Sequence, residues 1–238
     1  MIIWGAWKDA VVPLQVQDLR REWQLANPTW SSRIVQDTFI NNMPVAPDTK
    51  HVFLNAPIGV MRGDLMRYLV VYYYGGMWLD LDVKHVKPIA KWMSAKKELV
   101  IGIERATSAW TERQRGHMCQ WFFAARPRHG VLKTAIELST SRMLDFLRMD
   151  LSMRKAKLRD ANEVHYLTGP ALFTDSVCKY YNISPCVDMN NVKRRLPQSV
   201  QVLDEADART GMINHLFASN AWSGYNSWTR EKQSFADG

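Results

Sequence analysis

The sequence predicts an α/β fold, and three observations predict it. An apolar opening, Ile2-Ile3-Trp4, closed by Gly5, has the character of a buried strand. From Gly63 to Tyr74 apolar residues recur at helical spacing until Gly75-Gly76 ends the run. Alternation then takes over from Met77 to Val83, which is the period of a strand. With 238 residues, 47% hydrophobic and 23% charged, the chain can bury a sizeable core, which excludes disorder of the whole and favours one domain over residues 1–238.

Taken in order, Ile2-Ile3-Trp4 is expected at the edge of a sheet. A helix follows, with Pro13 tolerated in its first turn and Leu14, Leu19, Trp23 and Leu25 at roughly helical spacing, and Asn27-Pro28 stops it. Residues 33–36 read as a second strand and 44–48 as a loop. In the helix 63–74, Leu65, Leu69 and Tyr72 lie on one side, while Asp64, Arg67, Val71 and Tyr74 fall on another, so Asp64 and Arg67 share a face. In the strand 77–83, Trp78, Asp80 and Asp82 point one way and Met77, Leu79, Leu81 and Val83 the other. Strands are expected again at 99–103 and 121–125, one or two helices over 131–159, and a turn at Thr168-Gly169-Pro170 into a helix at about 171–181. The tail from Ser219 onward, rich in Ser, Asn, Gly and Trp, has the composition of an exposed functional loop.

A net charge of +8 suits anionic partners: nucleotide diphosphates, nucleic acid or an acidic membrane surface. The basic cluster from Arg142 to Arg159 reads as a solvated helix face. Basic residues are not interleaved with the ten tryptophans in any nucleic-acid module, which disfavours nucleic acid. No apolar run approaches the ~20 residues of a membrane span, and the opening residues lack the build of a signal peptide, so a cytoplasmic chain is expected. Cys119, Cys178 and Cys186 show no Cys-x-x-Cys spacing, and reduced thiols are expected.

Asp80 and Asp82, one residue apart on a strand, would carry their carboxylates about 7 Å apart along one face. Such a pair of hard oxygen ligands suits Mn²⁺ or Mg²⁺, which complete their shells with water or phosphate oxygens. A cation held there neutralises charge on a departing diphosphate. Asp-x-Asp alone is a weak signal, since salt-bridged strands produce it too. Here Leu79, Leu81 and Val83 bury one side of the strand, and carboxylates beside it would need a cation, whether a metal or Arg62 or Arg67.

The segment Arg62-Gly-Asp-Leu-Met-Arg-Tyr-Leu-Val-Val-Tyr-Tyr-Tyr-Gly-Gly-Met-Trp-Leu-Asp-Leu-Asp-Val83 resembles the signature of glycosyltransferase family 32, the group that includes Och1-type mannosyltransferases, and is similar to the donor site of clostridial glucosylating toxins. The resemblance implies a GT-A fold, a Rossmann-like mixed sheet flanked by helices with the metal motif at a strand end. It implies further that Asp82 binds the metal, that Asp80 contacts the donor's sugar or ribose and the metal, and that Asp64 and Arg67 grip sugar hydroxyls and phosphate. Looser matches extend it. Trp4 on the opening strand would lie near the nucleotide base, and Thr168-Gly169-Pro170 matches a family turn that places Gly169 at the donor. Residues 215–222 resemble the closing element, which places Asn220 and Trp222 at the donor and His215 at the metal, with one extra residue and with Leu216 and Asn220 where His and Ser are usual. The tail 219–238 would close the donor site. Trp4 and Trp78 have the alternative reading of core tryptophans, and His215 that of a structural histidine. Gln120 stands near where the family often has Asn, and Arg126-Pro127 matches the segment after its middle strand.

The expected activity is that of a retaining, metal-dependent glycosyltransferase. Asp80, Asp82 and Arg67 would move a hexose from a nucleotide sugar, UDP-linked by preference or GDP-linked, to a hydroxyl of a glycan, lipid or protein acceptor. A catalytically inactive nucleotide-sugar binder, a metal-dependent phosphotransferase or nuclease, and a nucleic-acid-binding protein are the alternatives. The basic surface also allows peripheral contact with an acidic membrane.

Overall fold

The computed structural model describes residues 1–104, 116–186, 188–204, 213–215 and 234–235. Its first half runs β1 (Ile2–Ala6), α1 (Leu14–Ala26), β2 (Ser31–Val35), a 3₁₀ turn (Asp37–Asn42), α2 (Pro47–Leu54), α3 (Gly59–Tyr74), β3 (Gly76–Leu79) and β4 (Val83–His85). A second 3₁₀ turn (Ile89–Lys91) leads to β5 (Leu99–Glu104) and β6 (His117–Ala125). The remainder is helical, α4 (Gly130–Arg148), α5 (Leu151–Arg159), α6 (Ala161–Leu167), α7 (Pro170–Tyr180) and α8 (Met189–Arg195), before β7 (Val200–Asp204) and β8 (Ile213–His215).

Six strands form one mixed sheet in the order β2-β1-β3-β6-β5-β7, and β4 with β8 makes a separate antiparallel ribbon. Period-two alternation sorts the strand residues between two apolar layers. Trp4, Trp78, Leu99, Ile101 and Phe123 pack into the larger core with α3, α4 and α7. Ile3, Met77, Leu79, Val100 and Phe122 pack on the other side with Trp23 of α1, Trp30, Ile89 and Trp92. Helices therefore cover both faces of the sheet, as expected of an α/β fold.

Several expectations need correction. β1 is not an edge strand: it pairs with β2 on one side and β3 on the other, and Ile3 and Trp4 are fully buried. Helix α1 has the expected extent, but Leu14 and Leu25 are exposed, and its buried line is Val16, Leu19, Arg20 and Trp23. The expected loop at 44–48 runs into α2, which starts on Pro47. Strand 77–83 breaks in two, because pairing with β6 ends at Leu79 opposite Phe122 while Val83 begins a ribbon opposite His215. Cys178 and Cys186 form a disulfide with Cα atoms 6.0 Å apart, against the expectation of reduced thiols, and Cys119 is buried outside it. Their separation of eight residues resembles no metal or redox motif, so only the fold brings them together. A disulfide belongs to oxidising surroundings, which removes one support of the cytoplasmic expectation. Among the described residues no helix is long and apolar enough to cross a membrane.

Helix α3 is buried nearly all round, from Met61 to Val71. It ends at Gly75 and Gly76, with φ of 67° and 100°, conformations that glycine adopts without penalty. A Cβ on Gly76 would also collide with the carbonyl of Ile2. The helix thus reverses sharply into β3 and delivers residue 80 to the strand's carboxyl end.

Candidate active site at the Asp80–Asp82 turn

Asp80, Leu81 and Asp82 form a turn just beyond β3, closed by the Val83 amide donating to the Asp80 carbonyl over 3.3 Å. The Asp80 amide donates to the Trp121 carbonyl of β6 at 2.8 Å, which anchors the turn to the sheet. Asp82 is buried, whereas the Asp80 side chain is 27% exposed and is the member of the pair that opens toward solvent. Trp78 Nε1 donates to Asp80 Oδ1 at 2.7 Å, and Arg67 Nη1 approaches the same oxygen at 3.6 Å.

Arg67 is held from several sides. Nη2 lies 3.0 Å from Asp64 Oδ1 one helical turn away, Nη1 donates to the Gln120 carbonyl at 2.9 Å, and the guanidinium stands 5.3 Å from the Trp78 ring centre. Asp64 is bracketed in turn. Gln120 Nε2 donates to its Oδ1 at 3.0 Å and Thr168 Oγ1 to its Oδ2 at 2.8 Å. The Tyr68 hydroxyl lies 2.5 Å from Gln120 Oε1 and 2.9 Å from the Thr168 carbonyl, joining the two brackets.

Burial pushes the Asp64 carboxyl up, against the pull of Arg67, Thr168 and Gln120. Burial also works against charge on Arg67, but Asp80 and Asp64 together outweigh it and raise its pKa, so the guanidinium stays protonated. Burial, with Asp64 beside it, holds the Tyr68 phenol far above its ordinary value, and it remains a neutral donor.

The sequence-predicted residues divide sharply. Asp64, Arg67, Trp78 and Asp80 come together in one network. Arg67 takes the role of cationic partner; Arg62 instead pairs with Asp37 at 2.6 Å. Trp4 is 1% exposed, donates Nε1 to the Gly75 carbonyl at 2.8 Å and packs against Phe39 and Tyr74, so it is a core residue without a face open for a base. Trp78 is equally buried and reaches the site only through Asp80 and Arg67. Gly169 caps α7 against the backbone of His165, and its neighbour Thr168 is the member of that turn that reaches Asp64. His215 stands opposite Val83 in the β4–β8 ribbon, one residue from Asp82. Asn220 and Trp222 lie outside the described residues.

The expectations missed Thr168, Tyr68 and Gln120 as parts of the Asp64 bracket, and Arg20 beneath the turn. Tyr68 was legible one residue after Arg67 on the same helix; Thr168 and Gln120 were marked only by the resemblance, and nothing in the sequence tied either to Asp64.

Among the described residues no group of three or more His, Cys, Asp or Glu could hold a metal ion. Two carboxylates on one turn nevertheless fit Mg²⁺ or Mn²⁺, which take few protein ligands and fill the remaining positions with phosphate oxygens and water.

Residues 13–99 match the family described as glycosyltransferase sugar-binding region containing DXD motif. The initiation-specific alpha-1,6-mannosyltransferase of Candida albicans is 25% identical over 202 residues, covering 76% of this chain and 52% of that protein. Inositol phosphoceramide mannosyltransferase 1 of Schizosaccharomyces pombe is 28% identical over 149 residues, covering 57% and 41%. The chain spans about half the length of the curated relatives it matches. In fold it is similar to the PaToxG glycosyltransferase, with a TM-score of 0.54 at 16% identity over 99% of this chain and 86% of that one. It is similar also to the catalytic domain of alpha-toxin from Clostridium novyi, with a TM-score of 0.54 at 8% identity over 83% and 76%. The fold is thus GT-A, and residues 13–99 carry this chain's similarity to the DXD glycosyltransferases.

Proposed function

We propose that this domain transfers a hexose, mannose by the names of its relatives, from a nucleoside-diphosphate sugar to a hydroxyl of a glycan or lipid, with Mn²⁺ or Mg²⁺ bound at Asp80 and Asp82. The observation that carries this reading is the position of Arg67, fixed by buried Asp64 and turned onto Asp80 at the carboxyl end of β3. Ligands of open α/β sheets bind at that end. A bound cation would neutralise the diphosphate. Arg67 supplies a second, permanent positive charge there, and its planar donors suit phosphate oxygens.

Asp64 has a revised role. Three donors occupy its carboxylate and it is 1% exposed, so it orients Arg67 rather than gripping sugar. That also makes Asp64 a poor nucleophile, which supports front-face displacement with retention: the leaving diphosphate oxygen accepts the incoming hydroxyl's proton. A single domain over residues 1–238 is part of this reading; the tail 219–238, proposed as a cover of the site, lies outside the described residues apart from 234–235. The basic helices fit a nucleic-acid reading less well, since Arg142 pairs with Asp175, Arg148 with Asp145 and Lys157 with Glu163.

The test is hydrolysis and transfer with GDP-mannose and UDP-hexoses, with and without Mn²⁺, followed by NMR of the product anomer. Metal-dependent turnover of one donor with retained configuration is expected. An inverted product would overturn front-face displacement, and indifference to every donor would overturn the transferase reading.

A further inference from the structure

Arg20 lies on the buried line of α1, sixteen residues from Trp4 of β1, and its guanidinium is inserted beneath the Asp80–Asp82 turn. Nη2 donates to the Trp4 carbonyl at 3.1 Å and to the Leu79 carbonyl at 2.6 Å. The Leu79 carbonyl ends β3, and the Trp4 carbonyl belongs to the last β1 residue that pairs with β3, in a parallel ladder that is short: β1 and β3 pair only at Ile3 with Met77 and Trp4 with Trp78. Arg20 therefore acts as a side-chain rung beyond the last backbone rung, on the peptide just before Asp80. On the opposite side the Asp80 amide is tied to β6 through the Trp121 carbonyl. Gly5 makes room for this arrangement, because a Cβ there would collide with both the Arg20 guanidinium and the Leu81 side chain.

The arrangement is costly. Arg20 is 5% exposed, and among the described residues its Nε and Nη1 have no hydrogen-bond partner. Burial lowers its pKa to about 10, even against the attraction of Asp80. An apolar side chain would fill α1's buried line without lifting a charge out of water.

We propose that Arg20 is a positioning residue of the donor site, bridging Trp4 of β1 and the end of β3 so that the Asp80–Asp82 turn is held in its cation-binding geometry. This rests on the donor-site reading above. Arg20 touches neither donor nor cation. It fixes the floor from which both aspartates project.

The experiment compares wild type, Arg20→Met, Arg20→Gln and Asp82→Asn. Each is measured for Mn²⁺ binding in the presence of GDP or UDP by calorimetry, and for amide hydrogen exchange in the peptide covering residues 79–83, with circular dichroism as the check on folding. Arg20→Met is expected to fold, to weaken Mn²⁺–nucleotide binding tenfold or more and to speed exchange in that peptide, with Arg20→Gln intermediate. Binding within twofold of wild type and unchanged exchange in a folded Arg20→Met, while Asp82→Asn loses binding, would overturn the proposal. Should Arg20→Met not fold, the same thresholds apply to Arg20→Gln. If Asp82→Asn binds as wild type does, it is the donor-site reading that fails, and unchanged exchange then overturns the bridge as well.

Discussion

Arg67 Nη2 lies 3.0 Å from Asp64 Oδ1, both side chains are buried, and the other terminal nitrogen of the same guanidinium faces Asp80. A buried carboxyl group on α3 thus aims a buried guanidinium at the partly exposed carboxylate of the Asp-x-Asp turn. The pair is a structural strut, and in the proposed reading its arginine also serves the donor site, so substitutions should affect both properties.

Removing one partner leaves the other charge buried and unpaired. Arg67→Met is expected to cost about 3–5 kcal/mol of stability and to abolish donor turnover. Chemical denaturation and donor hydrolysis measure the two effects; a variant of wild-type stability would show that the ion pair contributes little.

Asp80 and Asp82 separate function from stability. Asp82→Asn and Asp80→Asn are expected to lower donor hydrolysis by about a hundredfold or more, the order of losing a principal transition-state charge stabiliser, and to abolish Mn²⁺-dependent thermal stabilisation. The metal-free melting temperature of Asp80→Asn should change little, because that side chain is 27% exposed. Equal Mn²⁺ shifts in wild type and both variants would remove the cation from this turn.

Gln120 and Thr168 hold Asp64 from opposite oxygens. Thr168→Val removes one buried donor and is expected to destabilise by about 1–3 kcal/mol. Gln120→Leu, which also deprives Tyr68 of its acceptor, is expected to cost more than Thr168→Val. A double-mutant cycle between Thr168→Val and Asp64→Asn should give a non-zero coupling; additivity would mean that the bracket is energetically idle.

The upward shift of Asp64 has a definite sign in stability. A carboxyl whose folded pKa exceeds its unfolded value binds its proton more tightly when folded. Its contribution is complete below the unfolded value, near ~3.9, and is lost as pH rises through the folded value. The stability difference between wild type and Asp64→Asn should therefore move against wild type as pH rises through that window. Urea denaturation from pH 3 upward measures it, and a pH-independent difference would contradict the shift.

Much of this arrangement is local and so was legible in the chain. Asp64 and Arg67 are three residues apart on a periodic helix and share a face wherever that helix packs. Gly75-Gly76 marks the reversal because other residues pay for positive φ. The Asp-x-Asp residues follow at once, so helix, turn and strand were predictable as a unit.

Tertiary structure decided what those residues touch. The partners of Asp64 come from 56 and 104 residues away, and periodicity carries no information about pairing at such separations. Whether β1 lay at an edge depended on strand order, and whether 77–83 stayed one strand depended on where β6 and β8 offered backbone partners. Trp4 and Trp78 carried equal signals for core and for ligand; both are buried in the larger apolar layer. The sequence alone determined which side chains could do the chemistry, because spacing along one element sets a shared face. Only the packing of distant elements decided which of them are buried struts, such as Asp64 and Arg20, and which one opens to solvent, Asp80, because desolvation and hydrogen-bond satisfaction belong to the assembled fold.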